Sequence, residues 1–209
     1  EMLRLGRKLN VRWDDQLAHA RLQKLGIPLD RRAGKLSGGQ QAQVALVLAL
    51  AKHPDLLLLD EPLASLDPLA RREFLSTLMD AAAESGLTVL LSSHIIGELE
   101  RVCDHLIVLS ASRVQLTGGI PELVQEHRRL IGPRQSEENI ASIHTVIEAR
   151  HTERQTTLLI RTNGQVFGSS WDVQAVSLED IVLAYLGQQR MEHAQSPASR
   201  GSREMEVVE

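Results

Sequence analysis

The chain has 209 residues, 43% of them hydrophobic and 24% charged, enough apolar mass to bury a core in one or two domains. A net charge of -4 gives no support for a polyanion-binding surface, so no nucleic-acid partner is expected, and no stretch approaches the roughly 20 apolar residues that span a bilayer. The lone Cys103, beside Val102, cannot form an internal disulfide, and the histidines contain no i, i+4 pair. A buried thiol in a reducing compartment, and no histidine-built metal cage, are the expectations.

In chain order, residues 14–25 carry Leu17, Ala18, Leu22 and Leu25 at helical spacing and stop at Gly26 and Pro28. Ser37 is the predicted N-cap of a helix that runs to Lys52 through the apolar stretch 44–51, with Pro54 just beyond. Residues 56–60 read as a strand apolar on both faces, hence a central parallel strand covered by helices on each side. A helix over 68–83, stopped near Gly86, leads to a second buried strand at 87–91. Residues 105–109 and 113–117 are expected to finish the sheet as a hairpin around Ala111-Ser112. This alternation predicts an α/β domain with right-handed crossovers.

After Gly118-Gly119 the texture changes. Residues 121–129 predict a short helix and 132–138 a polar, breaker-rich linker. Two strands follow at 144–149 and 156–161, with Val166 and residues 173–176 as candidates for a third. Ser177-Leu178-Glu179-Asp180 opens a last helix with a serine cap and acids in its first turn. From Gln188 on, scarcely a core residue remains, and a disordered tail is expected.

Four motifs carry the chemistry. Leu36-Ser37-Gly38-Gly39-Gln40 joins a hydroxyl and two glycines at a helix start, where backbone N–H groups and the helix dipole favour phosphate. Leu56-Leu57-Leu58-Leu59-Asp60-Glu61 ends an apolar strand in two carboxylates, at the edge where open α/β sheets bind ligands. Ser65-Leu66-Asp67 precedes Pro68, which also suits a capped helix start. Ser93-His94 follows the next apolar run, at the same sheet edge.

In this order and spacing the four elements resemble the second half of an ABC ATPase: signature loop, Walker B strand, D-loop and switch histidine. The resemblance implies an α/β fold, the carboxy-terminal part of an ABC-type P-loop NTPase domain with a helical subdomain, a parallel-sheet core and a small appended α+β domain. It divides the chain into a partial helical subdomain (1–35), an ATPase core (36–120), an accessory domain (121–187) and a tail (188–209). It implies ATP and Mg2+ as ligands, the metal held by Asp60 and the attacking water deprotonated by Glu61. His94 would sense the γ-phosphate, while Ser37, Gly38, Gly39 and Gln40 would reach the nucleotide of a second subunit, with Asp67 in the same seam. The partners implied are a second ABC subunit, as a homodimer, and an integral membrane permease that holds the chain at the inner face of the cell membrane. The small domain after residue 120 is similar to that of ABC-2 exporter ATPases.

The phosphate-cradling motif G-x-x-x-x-G-K-[ST] is not in the chain: Gly34-Lys35 is followed by Leu36, and Leu29 stands where its first glycine would be. The expectation is a chain cut after the Walker A strand and after the glutamine loop, weakly active by itself. Two positions depart from the family pattern, Gln43 in place of a common arginine and Leu63 in place of a common threonine. The alternatives are a non-transport ABC ATPase acting on DNA or ribosomes, which would bring coiled coils or a basic linker, and a catalytically incomplete regulatory cassette.

Overall fold

The computed structural model describes residues 1–134, 138–162 and 170–195, with side chains described as far as residue 188. These fall into two compact units, divided between Ile95 and Ile96.

In the first unit, α1 (Met2–Leu9) precedes α2 (Asp15–Lys24), whose cap Asp14 accepts from the Leu17 amide at 2.9 Å. A left-handed Gly26 turns the chain, and a short 3-10 turn (Ala33–Lys35) delivers it to α3 (Gly38–Leu50). Val44 and Val47 of α3, with Ala51 at its cap, pack with Ala18 and Leu22 of α2. Strand β1 (Leu56–Leu59), helix α4 (Pro68–Ser85) and strand β2 (Thr88–Leu91) then form a β-α-β unit. Its strands are parallel and paired from Leu56–Thr88 to Leu59–Leu91. Asp67 caps α4 by accepting from the Leu69 and Ala70 amides, Pro68 occupies the first turn, and left-handed Gly86 ends it.

The sheet departs from the expected one in two ways. Leu57 is buried, but Leu56, Leu58 and Leu90 are exposed, because no described residue covers that face. The hairpin of β3 (His105–Ser110) and β4 (Arg113–Gly119) does not extend the β1–β2 sheet; it forms its own antiparallel pair in the second unit. Both turn residues, Ala111 and Ser112, take positive φ, the backbone that a two-residue hairpin of matching twist requires.

The second unit opens with α5 (Ile96–Val102), continues through that hairpin and α6 (Ile120–Glu126), and builds a four-stranded sheet. Its strands are β5 (His127–Pro133), β6 (Thr145–His151), β7 (Gln155–Arg161) and β8 (Asp172–Gln174), in the order β6-β7-β5-β8. Short helix α7 (Glu138–Ala141) precedes β6, and α8 (Leu178–Gln195) closes the unit behind a box in which Ser177 and Asp180 bond each other. One core joins Leu106, Val108 and Leu116 of the hairpin to Ile147, Leu159, Ile181 and Val182; a second joins Leu130, Leu158 and Ile160 to Ile140.

Residues 127–133 are a strand where the sequence reads as the end of a helix and the start of a linker. β5 pairs with β7 along its whole length, from His127–Arg161 to Pro133–Gln155. The two breakers fit: Pro133 sits at the strand end, and Gly132 leaves room for the Trp171 ring, which a β-carbon there would approach to 2.9 Å. Residues 135–137 of the expected linker, and Val166, lie outside the described residues. Helix α8 continues to Gln195, into the segment read as a tail, where Gln, Arg, Met, Glu and Ala favour helix.

Candidate functional site

The carboxy ends of β1 and β2 converge because the strands are parallel and in step: the Ser92 amide donates to the Leu59 carbonyl at 2.8 Å, directly beyond the last paired residues. Ser92 therefore lies beside Asp60. Its hydroxyl donates to Asp60 Oδ1 at 2.7 Å and accepts from the Glu61 amide at 2.8 Å, bridging the two acidic residues. Two residues on, His94 Nδ1 lies 2.8 Å from Glu61 Oε2, close enough to donate to that carboxylate. Asp60, Glu61 and His94 are thus brought into one hydrogen-bonded chain with Ser92.

Glu61 adopts φ +45°, a left-handed conformation that a residue with a β-carbon holds only when its surroundings impose it. What imposes it is the loop to α4. Leu63 is fully buried and Leu66 nearly so; the Ala64 amide returns to the Glu61 carbonyl at 3.2 Å; Arg71 Nε donates to the Leu63 carbonyl at 3.2 Å. Leu63 is a core anchor of this loop.

At the start of α3, Ser37 and Gln40 form a reciprocal capping box: the Gln40 amide donates to Ser37 Oγ at 3.2 Å, and the Ser37 amide donates to Gln40 Oε1 at 3.1 Å. Ser37 and Gly38 are exposed, so their backbone faces solvent. A β-carbon on Gly39 would fall 2.8 Å from Ala70 Cβ, so the absence of a side chain lets the first turns of α3 and α4 touch. Asp67, the α4 cap, completes that corner. Among the described residues no hydrogen bond or ion pair joins Ser37, Gly38, Gly39, Gln40 or Asp67 to the chain of Asp60, Ser92, Glu61 and His94. The structure presents two groups, one at the sheet edge and one at paired helix starts.

Ser92 is the residue that sequence reasoning passes over. The signal is there, since lining up the ends of the two apolar runs as parallel neighbours sets Ser92 opposite Asp60, but it depends on a register that neither run states alone. For magnesium the oxygen donors suit: one carboxylate and one hydroxyl, both hard, the sparse protein shell that this ion takes beside phosphate. No cluster of three or more His, Cys, Asp or Glu that could cage a metal occurs among the described residues.

The ABC transporter family model matches residues 4–64, which hold the helix-start motif, β1 and both acids. A phosphonates import ATP-binding protein of Thiobacillus denitrificans is 38% identical over 54% of this chain and 43% of its own length. A thiamine import ATP-binding protein of Vibrio parahaemolyticus is 37% identical over 58% of this chain and 53% of its own. The chain thus spans about half the length of these curated relatives. The ABC transporter ATP-binding protein YtrB of Bacillus subtilis is 26% identical over 88% of this chain and 66% of its own. Among solved structures, cbiO1 of Clostridium perfringens, part of the ABC transporter complex cbiONQ, superposes with a TM-score of 0.51 at 30% identity, over 59% of this chain and 51% of that one. The chain has the mixed α/β fold of an ABC-type ATPase domain, and the sequence of its site-bearing part is similar to that of ATP-binding proteins of ABC transporters.

Proposed function

We propose that the protein is the ATP-hydrolysing motor subunit of an ABC transporter, in which nucleotide-driven closure of a dimer moves a separate membrane permease. The observation that carries this reading is the hydrogen-bonded chain of Asp60, Ser92, Glu61 and His94 at the ends of two parallel strands. Asp60 and the Ser92 hydroxyl would hold Mg2+, and bound there the ion neutralises phosphate charge. Glu61, fixed by its backbone bond to Ser92, takes the proton of the attacking water at a carboxylate oxygen. His94 orients that carboxylate and passes to the γ-phosphate when one is present, which frees Glu61 as a base.

Ser37 and the Gly38 and Gly39 backbone would meet the phosphates of ATP on a second copy, with Asp67 in the same seam. We assign residues 1–35 and 36–120 to the helical and core parts of the cassette and 121–187 to an accessory domain of the ABC-2 exporter type. The export reading rests on that appended domain; the relatives named for import each match less than two thirds of this chain. No helix among the described residues is long and apolar enough to cross a membrane, so the permease would supply attachment at its inner face. The 209 residues alone should hydrolyse little ATP, since they contain no G-x-x-x-x-G-K-[ST] cradle.

The test is Glu61→Gln in the full-length protein. Turnover should fall about 10²-fold or more with ATP binding kept, and an ATP-bound dimer should accumulate; adding Ser37→Arg should abolish that dimer. Near-normal turnover, or a dimer that survives Ser37→Arg, would mean the wrong base or the wrong interface.

A further inference from the structure

Gln43 lies in the middle of α3 with only 4% of its surface exposed, and neither its amide nitrogen nor its amide oxygen has a hydrogen-bond partner in the protein. It is the single residue so placed among those described. Every other α3 residue with comparable burial is Val or Leu. A buried amide with both ends unsatisfied works against the packing that contains it, because unfolding or movement returns those groups to water or to a partner.

Its position says which packing is opposed. At 100° per residue, Gly39, Gln43, Leu46 and Leu50 form one stripe of α3, distinct from the Val44, Val47 and Ala51 stripe that packs on α2. Gly39 on this stripe is the residue that touches Ala70 of α4. Gln43 follows it by one turn. The seam between α3 and α4 therefore combines a contact of two small residues, over which helices can slide, with a polar group left unpaired at the present register. The part of α3 that any such slide would carry is its amino-terminal end, Ser37 to Gly39.

We propose that Gln43 is a positioning residue: its unpaired amide keeps the α3–α4 seam from settling into one register, so that the start of α3 can be drawn onto nucleotide phosphate held by a second subunit. This rests on the functional reading above. The free-energy penalty of the buried amide is present before ATP binds and is relieved when α3 moves, so it is added to the drive for closure. An apolar residue of similar shape should stabilise the nucleotide-free protein and weaken closure together.

The experiment places Gln43→Met in the Glu61→Gln background of the full-length protein, with Gln43→Leu as a second variant should Met fail to fold. Thermal unfolding without nucleotide and the dimer dissociation constant with Mg-ATP are both measured. The expected result is an unfolding midpoint higher by about 4 °C and a dimer weaker by roughly 10-fold. A merely structural glutamine would raise the midpoint and leave the dimer unchanged or tighter, and that outcome overturns the proposal, as does no change in either quantity. If the Glu61→Gln parent forms no Mg-ATP-dependent dimer, the functional reading fails and takes this inference with it; a parent dimer matched by its Gln43→Met variant removes the inference alone.

Discussion

Leu58 and Leu158 each sit inside a strand, one in each unit, yet Leu58 is 64% exposed and Leu158 is fully buried. The same side chain serves two kinds of sheet. The β1–β2 pair keeps one face open and its polar strand ends in solvent, with Asp60, Ser92, Glu61 and His94 tied to one another. The sheet of the second unit is packed on both faces, and its polar groups are paired: buried His127 bonds Leu123 and Tyr185, and half-buried Arg129 pairs with Asp180 at 2.8 Å. Order among polar groups in the first unit is concentrated at the ends of two strands, and in the second in an interior. What places the polar groups of the first unit side by side is the register of two parallel strands.

The contrast between the leucines can be measured directly, because Trp13 and Trp171 place one tryptophan in each unit. With Trp171 as the reporter, Leu158→Ala should lower stability by about 3 kcal/mol, the cost of a core cavity. Leu58→Ala, followed through Trp13, should change it by less than about 0.5 kcal/mol. A large effect at Leu58 would mean that its face is covered in solution.

Ser92→Ala sharpens the reactive side of the comparison. It removes both hydrogen bonds that fix Asp60 and the Glu61 backbone, so ATP turnover in the full-length protein should drop roughly 10-fold with the unfolding midpoint little changed. Equal loss of midpoint and turnover would turn Ser92 into a fold residue.

The smallest effect is a pH dependence of the second unit. Burial holds the His127 imidazole below its ordinary value; nearby Arg161 acts in the same direction, while the Leu123 carbonyl and Glu126 oppose them. The ring donates from Nδ1 to the Leu123 carbonyl at 2.7 Å and accepts the Tyr185 hydroxyl at Nε2, an arrangement of the neutral form. Since the folded value is the lower one, the unfolded chain takes the proton first as pH falls. Stability present above the ordinary histidine value of 6.5 is lost as pH drops through the folded value. Denaturant titrations between pH 7.5 and about 5, followed by Trp171, should show this slope, and His127→Gln should flatten it.

Much of the first unit can be read in the sequence, because its signals are local. Ser37, Asp67, Pro68 and Gly86 are cap residues whose effect is settled within a few positions: α3 and α4 begin where they predict, and α4 ends at Gly86, while α3 stops at Leu50, two residues short of Lys52. The acids and the histidine are legible from their place after apolar runs. Ser92 is not, since its role comes from pairing across 31 positions of sequence. In the second unit the misreading of residues 127–133 has the same origin: Gly132 and Pro133 are breakers locally, but β7 and Trp171 give each a fitted place. The hairpin of β3 and β4 reads as the last strands of the sheet from adjacency alone, whereas Leu106, Val108 and Leu116 pack with Ile147, Leu159 and Ile181. Packing partners of this kind have no signature in either segment.

The left-handed backbone of Glu61 bears on how the protein could be engineered. Glycine would take φ +45° with least strain, and asparagine with less than glutamate, so a library screened only for heat resistance should drift toward them at this position. Each would relax the loop and delete the carboxylate. If Glu61 is the base proposed above, position 61 is a place where selection for robustness alone runs against activity, and the frequency of the Glu61→Gly substitution among heat-selected survivors would measure how strongly the two requirements conflict.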